Sequence, residues 1–153
     1  MDKSCKLISF NCKSVTRCVD YVRKLCQRAD ILALQETWLL PHDLQYLNKI
    51  DEDFGCTGTS AVDTSAGILR GRPYGGVALL WRKNAFGSVT VLHCASVRLA
   101  AIRVITGDTS FLVFSVYMPV DCGENLPEFT ECLAEINALL RALMSECFYF
   151  RGL

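Results

Sequence analysis

The sequence lacks the features that mark membrane, secreted and zinc-binding proteins. Its longest apolar stretch, residues 111–120, is interrupted by Ser115 and falls well short of the ~20 residues needed to span a bilayer. Residues 1–6 contain no apolar core of a signal peptide. The nine cysteines include no Cys-x-x-Cys pair, and only His42 and His93 could complete a zinc site. We therefore expect an intracellular chain, nuclear or cytoplasmic, whose reduced cysteines serve mostly as small core residues.

The sequence also lacks a net charge. Sixteen basic residues balance 16 acidic ones, so the whole chain exerts no overall attraction on nucleic acid. The charges are nevertheless separated along the chain, because residues 61–110 are predominantly basic and residues 111–153 predominantly acidic. The basic middle could face phosphate, whereas the acidic end is typical of a solvated helix face.

Size and composition predict one folded domain over residues 1–153. The sequence is 51% hydrophobic and 21% charged, with a mean hydropathy of +0.25, which excludes disorder. A chain of this length buries about 70% of its unfolded surface and so needs no disulfide or metal to fold.

The first part of the chain has the pattern of a parallel crossover unit. A short strand is predicted over residues 6–11, and apolar residues then recur every three or four positions from Val15 to Cys26, as on one face of a helix. The continuous apolar run over residues 31–35 predicts a strand buried on both faces. Strand, helix and strand joined by short links favour a parallel pair. The remaining elements before the basic middle are a short helix over 41–49, a weak strand over 54–60 and a loop over 61–74.

The period changes after this loop. Four strands are predicted over residues 76–81, 89–94, 97–105 and 110–117. Gly107 and Asp108 are expected to supply the positive-φ residues of a tight hairpin. A helix should follow, with Asn125 as its N-cap and Glu128 as the capping-box partner. The predicted buried stripe of this helix consists of Phe129, Leu133, Ile136, Leu139, Leu140 and Leu143. After the helix, a final strand is predicted to begin at 148–150. This order predicts a mixed α/β sheet system covered by helices.

Polar residues at the ends of the two parallel strands indicate a candidate site. Asn11 ends the first strand, and Gln35 and Glu36 end the second. The carboxyl ends of parallel neighbours meet at one sheet edge, where ligands bind in α/β proteins. A lone carboxylate there suits Mg²⁺, which keeps several of its waters. The alternative is that Glu36 caps the turn leading to Trp38.

Two further segments allow both a functional and a purely structural interpretation. Tyr117 at a strand end could orient a phosphate or polarise a nucleophile, or could be a half-buried tyrosine with a hydrated hydroxyl. Arg72 can bind phosphate, Tyr74 can stack on a base, and Gly75 and Gly76 let backbone approach a ligand. The same segment could also be a plain turn between loop and strand.

Four segments in a fixed order carry a family resemblance: ISFN at 8–11, ILALQETW at 31–38, GGVALL at 75–80 and VYMP at 116–119. They resemble the endonuclease/exonuclease/phosphatase superfamily, most closely the apurinic-type endonuclease domain of non-LTR retrotransposons. The resemblance implies a four-layer α/β sandwich, in which two mixed β-sheets lie face to face and are flanked by helices. It also implies hydrolysis of DNA phosphodiester bonds with Mg²⁺ or Mn²⁺.

The resemblance also assigns roles to individual residues. Glu36 would be the metal carboxylate, Asn11 the active-site amide near metal and phosphate, and Tyr117 a contact to the scissile phosphate. Arg72 and Tyr74 are expected to contact nucleic acid from their side-chain chemistry, not from the resemblance.

The sequence departs from the family pattern in ways that affect activity. Lys13 stands where an acid is common, and Val120 where Asn is common. Residues 1–153 contain neither Gly-Asp-x-Asn nor an Asp-His pair, so they match the N-terminal part of a C-terminally truncated fold and offer no general base. We expect the isolated chain to be inactive, with strand edges exposed to pairing with another chain.

Two alternatives to a DNA endonuclease follow from the same resemblance. One is a non-catalytic retroelement remnant or interaction module, which would show no response to Mg²⁺. The other is a phosphatase or deadenylase of the same superfamily, in which the loop at residues 70–74 would discriminate between substrates.

Overall fold

The structure is a computed structural model that describes residues 4–65, 67 and 71–151, with side chains up to residue 145. The chain forms two compact units, Met1–Tyr117 and Met118–Leu153.

The first unit begins with the predicted crossover. The element bounds are β1 Leu7–Asn11, α1 Val19–Arg28, β2 Ile31–Gln35, β3 Phe54–Gly58 and β4 Val77–Arg82. Strand β1 and strand β2 are parallel and are joined by helix α1, which buries Val22, Leu25 and Cys26. A 3₁₀ helix over Pro41–Lys49 follows, and β3 and β4 then pair antiparallel at the far side of β2. The sheet has the order β1-β2-β4-β3.

The second sheet is an antiparallel meander of β5 (Ser88–Leu92), β6 (Leu99–Thr106) and β7 (Thr109–Val116). The predicted hairpin between β6 and β7 is present, and Gly107 has φ +55°. The prediction that Asp108 also takes positive φ is wrong. A two-residue turn with positive φ at its first position alone still matches the twist of the flanking strands.

Strand β2 is buried on both faces, as its apolar run predicted. Leu32 and Leu34 belong to the core cluster that contains Val22 of α1. Ile31 and Ala33 alternate with these two leucines along the strand, so they lie on its opposite face. They belong to the cluster shared with the second sheet. The first unit is therefore layered as helix, sheet and sheet. This mixed α/β architecture confirms the predicted fold class.

The second unit consists of a 3₁₀ turn, Gly123–Asn125, and helix α2, Leu126–Arg151. Asn125 directly precedes α2, and its amide Nδ2 donates to the Val120 carbonyl at 3.0 Å. The predicted strand at 148–150 is wrong, since these residues lie within α2. Helical hydrogen bonds are local, whereas a strand needs a partner, and the described residues provide none for this segment.

The predicted buried stripe of α2 is only partly buried. Leu133 is 50% exposed and Leu140 is 41% exposed, and Leu126, seven residues before Leu133, is 61% exposed. Residues seven apart lie on the same side of a helix, so this side of α2 faces solvent. Among the described helices, none combines the length and hydrophobicity needed to cross a bilayer.

Candidate active site

The parallel pairing brings Asn11 and Glu36 to one edge of the first sheet. Asn11 lies opposite Gln35 in the last register position of β1 and β2. The Cys12 N–H continues this pairing with a bond to the Gln35 carbonyl at 2.9 Å. Asn11 is exposed, so its amide is accessible to a ligand at this edge.

Tyr117 reaches the same edge from the second sheet. Its hydroxyl donates to Glu36 Oε1 at 2.8 Å, joining residues 81 positions apart. The Tyr117 N–H donates to the Arg98 carbonyl at 3.1 Å, and Arg98 Nη1 donates back to the Tyr117 carbonyl at 3.0 Å. The Arg98 guanidinium also lies 5.9 Å from the centre of the Tyr117 ring. Arg98 thus positions a tyrosine that links the two sheets at the candidate site.

The hydrogen bond to Glu36 raises the pKa of Tyr117, and desolvation and the carboxylate charge act in the same direction. The positive charge of Arg98 opposes this shift. Tyr117 is therefore a neutral hydrogen-bond donor at physiological pH.

This raised pKa can be tested by replacing Glu36 with alanine. We expect the pKa of Tyr117 to fall, because the acceptor and its negative charge are both removed while Arg98 remains. The stability contributed by the neutral phenol is fully present below the ordinary tyrosine pKa and is lost as pH rises through the raised value. A spectrophotometric titration of phenolate, taken as the difference from Tyr117→Phe, measures the shift. A Glu52→Ala control should leave it unchanged, and an unaltered titration in Glu36→Ala would contradict the assigned contact.

A hydrogen-bonded bridge behind Glu36 was missed by the sequence analysis. The amide of Gln35 donates through Nε2 to Ser115 Oγ at 3.1 Å, and Ser115 Oγ donates to the Leu34 carbonyl at 2.8 Å. Ser9 Oγ donates to Gln35 Oε1 at 3.2 Å. Ser115 is 1% exposed, so its bond to the Leu34 carbonyl is shielded from water. The sequence did carry one signal for this bridge, because Ser115 is a polar residue inside the apolar stretch at 111–120.

The backbone around Glu36 is held in a sparsely populated conformation. Glu36 has φ +54° and Trp38 has φ +58°, values that cost about 1–2 kcal/mol in a non-glycine residue. Such strain persists where surrounding contacts enforce it, and it clusters at functional sites. The loop after β1 shows the same feature, with φ +42° at Lys13 and φ +86° at Ser14.

Backbone hydrogen bonds lock these strained segments together. The Ser14 N–H donates to the Glu36 carbonyl at 2.9 Å. The Thr37 N–H donates to the Gly76 carbonyl at 3.1 Å, and the Trp38 N–H donates to the Gly75 carbonyl at 2.9 Å. The loop after β1, the end of β2 and the two glycines before β4 therefore form one frame around Glu36.

Arg72 and Tyr74 lie on the loop that leads into this frame, and both are exposed. Arg72 lines a cavity of about 440 Å³ together with Trp38, two residues beyond Glu36. Tyr74 is 55% exposed and is not among the residues that line this cavity. The structure thus places Arg72, but not Tyr74, against a concave surface next to Glu36.

The donor set at the sheet edge suits a hard cation. In the described part of the chain, no three His, Cys, Asp or Glu side chains cluster to hold a metal ion. The Glu36 carboxylate, the Asn11 amide and the Tyr117 hydroxyl each offer an oxygen atom to a ligand. Mg²⁺ is commonly held by one or two carboxylates, retained waters and substrate phosphates, so these residues fit it.

The fold is shared with several solved enzymes at low sequence identity. A 3′ phosphatase from Neisseria, solved with a product DNA hairpin, has a TM-score of 0.58 and 18% identity, covering 93% of this chain and 53% of its own. An AP endonuclease from Archaeoglobus fulgidus has a TM-score of 0.56 and 18% identity, with coverages of 87% and 49%. The human Nocturnin catalytic domain, solved with a sulfate anion, has a TM-score of 0.58 and 15% identity, with coverages of 92% and 59%.

The chain spans about half the length of these structures. No curated protein sequence matches it significantly. The family model described as the endonuclease/exonuclease/phosphatase family matches residues 8–142, which cover the parallel crossover, both sheets and the candidate site. This chain belongs to the endonuclease/exonuclease/phosphatase family.

Proposed function

We propose that this chain is the part of a metal-dependent phosphodiester hydrolase, a DNA endonuclease of retrotransposon type, that contains the metal-binding residue Glu36. One observation supports this most strongly: the bond of 2.8 Å between the Tyr117 hydroxyl and Glu36, at the edge where Asn11 also ends its strand. The stability of the fold does not require the Glu36 carboxylate, the Tyr117 phenol and the exposed Asn11 amide to lie at one sheet edge. We place the enzyme inside the cell, in nucleus or cytoplasm, where DNA is accessible and thiols are reduced.

In this proposal Glu36 and Asn11 would hold the metal through oxygen atoms. Mg²⁺ or Mn²⁺, when bound, would neutralise the charge that develops on the phosphate. Tyr117 remains protonated, and its hydroxyl can turn from Glu36 to a phosphate oxygen without adding a negative charge beside it. Arg98 and the Ser115 bridge fix Tyr117 and the end of β2, so that little reorganisation is needed when substrate arrives.

We further propose that residues 1–153 do not complete the catalytic site. They lack the acid–base residues that the family resemblance assigns to Gly-Asp-x-Asn and Asp-His segments. His42 is exposed in the 3₁₀ helix, where its Nε2 lies 3.6 Å from the Asp43 carboxylate. The isolated chain is accordingly expected to leave a supercoiled plasmid intact.

Metal binding tests the proposal without requiring turnover. Mg²⁺ at ten times its dissociation constant adds about 1.4 kcal/mol to the free energy of unfolding. In a protein of this size, this raises the midpoint of thermal unfolding by roughly 3–6 °C. We expect the shift in the unmodified chain and in Glu52→Gln, and its loss in Glu36→Gln.

The same titration separates the alternatives. A non-catalytic remnant would show no Mg²⁺-dependent shift, and an equal shift in Glu36→Gln would place the metal elsewhere. A phosphatase or deadenylase would keep the Glu36-dependent shift but prefer a terminal phosphate or poly(A) to an internal DNA phosphodiester. The fold likeness to a 3′ phosphatase supports a phosphatase as the second candidate.

The strand edges support the proposal of self-association. Strands β1 and β7 each pair with one neighbour only in the described sheets. Leu7 on β1 is 55% exposed, which leaves an apolar side chain beside an unpaired edge. We propose that copies of the chain pair through these edges, which sedimentation at two concentrations would report.

A further inference from the structure

The cavity beside Glu36 has the size and position of a ligand subsite. Its volume of about 440 Å³ lies in the range of small-molecule pockets. Three segments form its walls: the loop after β1, the residues from Trp38 into the 3₁₀ helix, and the loop before β4. The frame of backbone hydrogen bonds joins these walls to the candidate site, because Ser14 lines the cavity and bonds the Glu36 carbonyl.

The lining of the cavity is positively charged. Arg17 and Arg72 both contribute, are exposed, and make no hydrogen bond or ion pair with other described residues. Asp43 is the one acid among the described residues that line the cavity, and its carboxylate lies 3.6 Å from His42 Nε2. Two guanidinium groups at one cavity favour a phosphate, which arginine binds as a planar fork.

The cavity also contains two aromatic side chains, Trp38 and Tyr46, both half-buried. The Trp38 main chain, with φ +58°, is held by the bond from its N–H to the Gly75 carbonyl at 2.9 Å. An ordered aromatic face next to cationic groups is what proteins use to stack a single-stranded base of any sequence.

We propose that this cavity is a subsite for one unpaired nucleotide of the DNA strand, adjacent to the scissile phosphate. The base lies against Trp38 and Tyr46, and the phosphate of that nucleotide lies between Arg17 and Arg72. The inference rests on the proposed function, since it takes nucleic acid as the substrate. The subsite also accounts for the strained backbone at Trp38, because that conformation places Trp38 in the wall of the cavity.

Trp38 itself can report binding. The chain has two tryptophans, so Trp81→Phe leaves Trp38 as the single indole fluorophore. The probes are a short oligothymidine and an abasic strand of equal length and charge, both without metal. We expect oligothymidine to quench the fluorescence and to bind roughly tenfold more tightly than the abasic strand.

Variants separate the base contact from the phosphate contact. Binding followed by the anisotropy of a labelled strand should weaken roughly tenfold in Trp38→Leu and little in Trp38→Phe, which keeps an aromatic face. Arg17→Ala and Arg72→Ala should each flatten the salt dependence by about 0.7 in log–log slope, whereas Arg28→Ala on α1 should not.

The inference is overturned if the abasic strand binds as tightly as oligothymidine, or if Trp38→Leu and Trp38→Phe both bind like the unmodified chain. Its failure is distinguishable from failure of the proposed function, because these measurements need neither metal nor Glu36. If Mg²⁺ gives a Glu36-dependent shift in thermal unfolding but binding does not depend on the base, only the subsite proposal is contradicted. If binding depends on the base but Mg²⁺ gives no shift, the hydrolase proposal is contradicted and the cavity still binds a nucleotide.

Discussion

Gly76→Ala is expected to lower the free energy of unfolding by about 2–5 kcal/mol. Gly76 has φ +86°, a conformation that costs a residue with a Cβ about 1–2 kcal/mol. An added Cβ would also lie 2.5 Å from Thr37 Oγ1 and 2.9 Å from the Thr59 carbonyl oxygen. The second neighbour is backbone directly after β3, and the Thr59 N–H donates to the Val77 carbonyl at 2.8 Å, so it cannot move away cheaply. Overpacking therefore adds about 1–3 kcal/mol.

Gly107→Ala is the matched control, measured in the same urea unfolding experiment. Gly107 has φ +55°, but nothing lies within 4 Å of the point where a Cβ would be added, so alanine there meets only the conformational cost. The difference between the two variants isolates the close approach at Gly76. Equal destabilisation of both variants would show that the frame around Glu36 is looser than these distances imply. Because the Gly76 carbonyl accepts the Thr37 N–H, we also expect Gly76→Ala to weaken the Mg²⁺ response.

Ser115→Ala is expected to cost about 1–3 kcal/mol, although it removes a single oxygen atom. The substitution removes the buried hydroxyl that accepts from the half-buried Gln35 amide and donates to the Leu34 carbonyl. Ser88→Ala, at an exposed position of β5, should change stability by less than about 0.5 kcal/mol. A double-mutant cycle with Gln35→Leu should give a coupling energy of at least about 0.5 kcal/mol, and strict additivity would contradict the bridge.

The local pattern of the sequence was sufficient for the elements of the first unit. The run over residues 31–35 predicted a strand buried on both faces, and its parallel pairing with β1 placed Asn11 beside the residue preceding Glu36. These features depend on short-range periodicity and on the link length between strands, which a sequence displays directly.

Long-range contacts were beyond the reach of such patterns. Nothing near Ser115 or Arg98 in the sequence indicates that they face Gln35 and Tyr117, since those pairings depend on how the strands and sheets come together. The error at 148–150 has a related cause, because aromatic residues favour strands only when a neighbouring strand is available.

The positive φ values of Glu36 and Trp38 could not be predicted from the sequence either. Glu36 and Trp38 are residue types that rarely adopt positive φ, so intrinsic preference argues against the observed backbone. Conflict between local preference and final structure is typical of functional sites, where the rest of the fold imposes the geometry. The conflict in this chain falls on the carboxylate proposed to bind metal and on the indole proposed to bind a base.

We propose that Glu36 and Asn11 hold a divalent metal at one sheet edge, with the Tyr117 hydroxyl next to Glu36 as the contact to phosphate. Mn²⁺ broadens the NMR signals of nuclei near it, so a titration of the ¹⁵N-labelled chain locates the ion directly. We expect the amide signals of Cys12, Glu36, Thr37 and Tyr117 to broaden first, and Glu36→Gln to abolish this pattern. Broadening centred on the acidic residues of α2, or unchanged in Glu36→Gln, would contradict the claim.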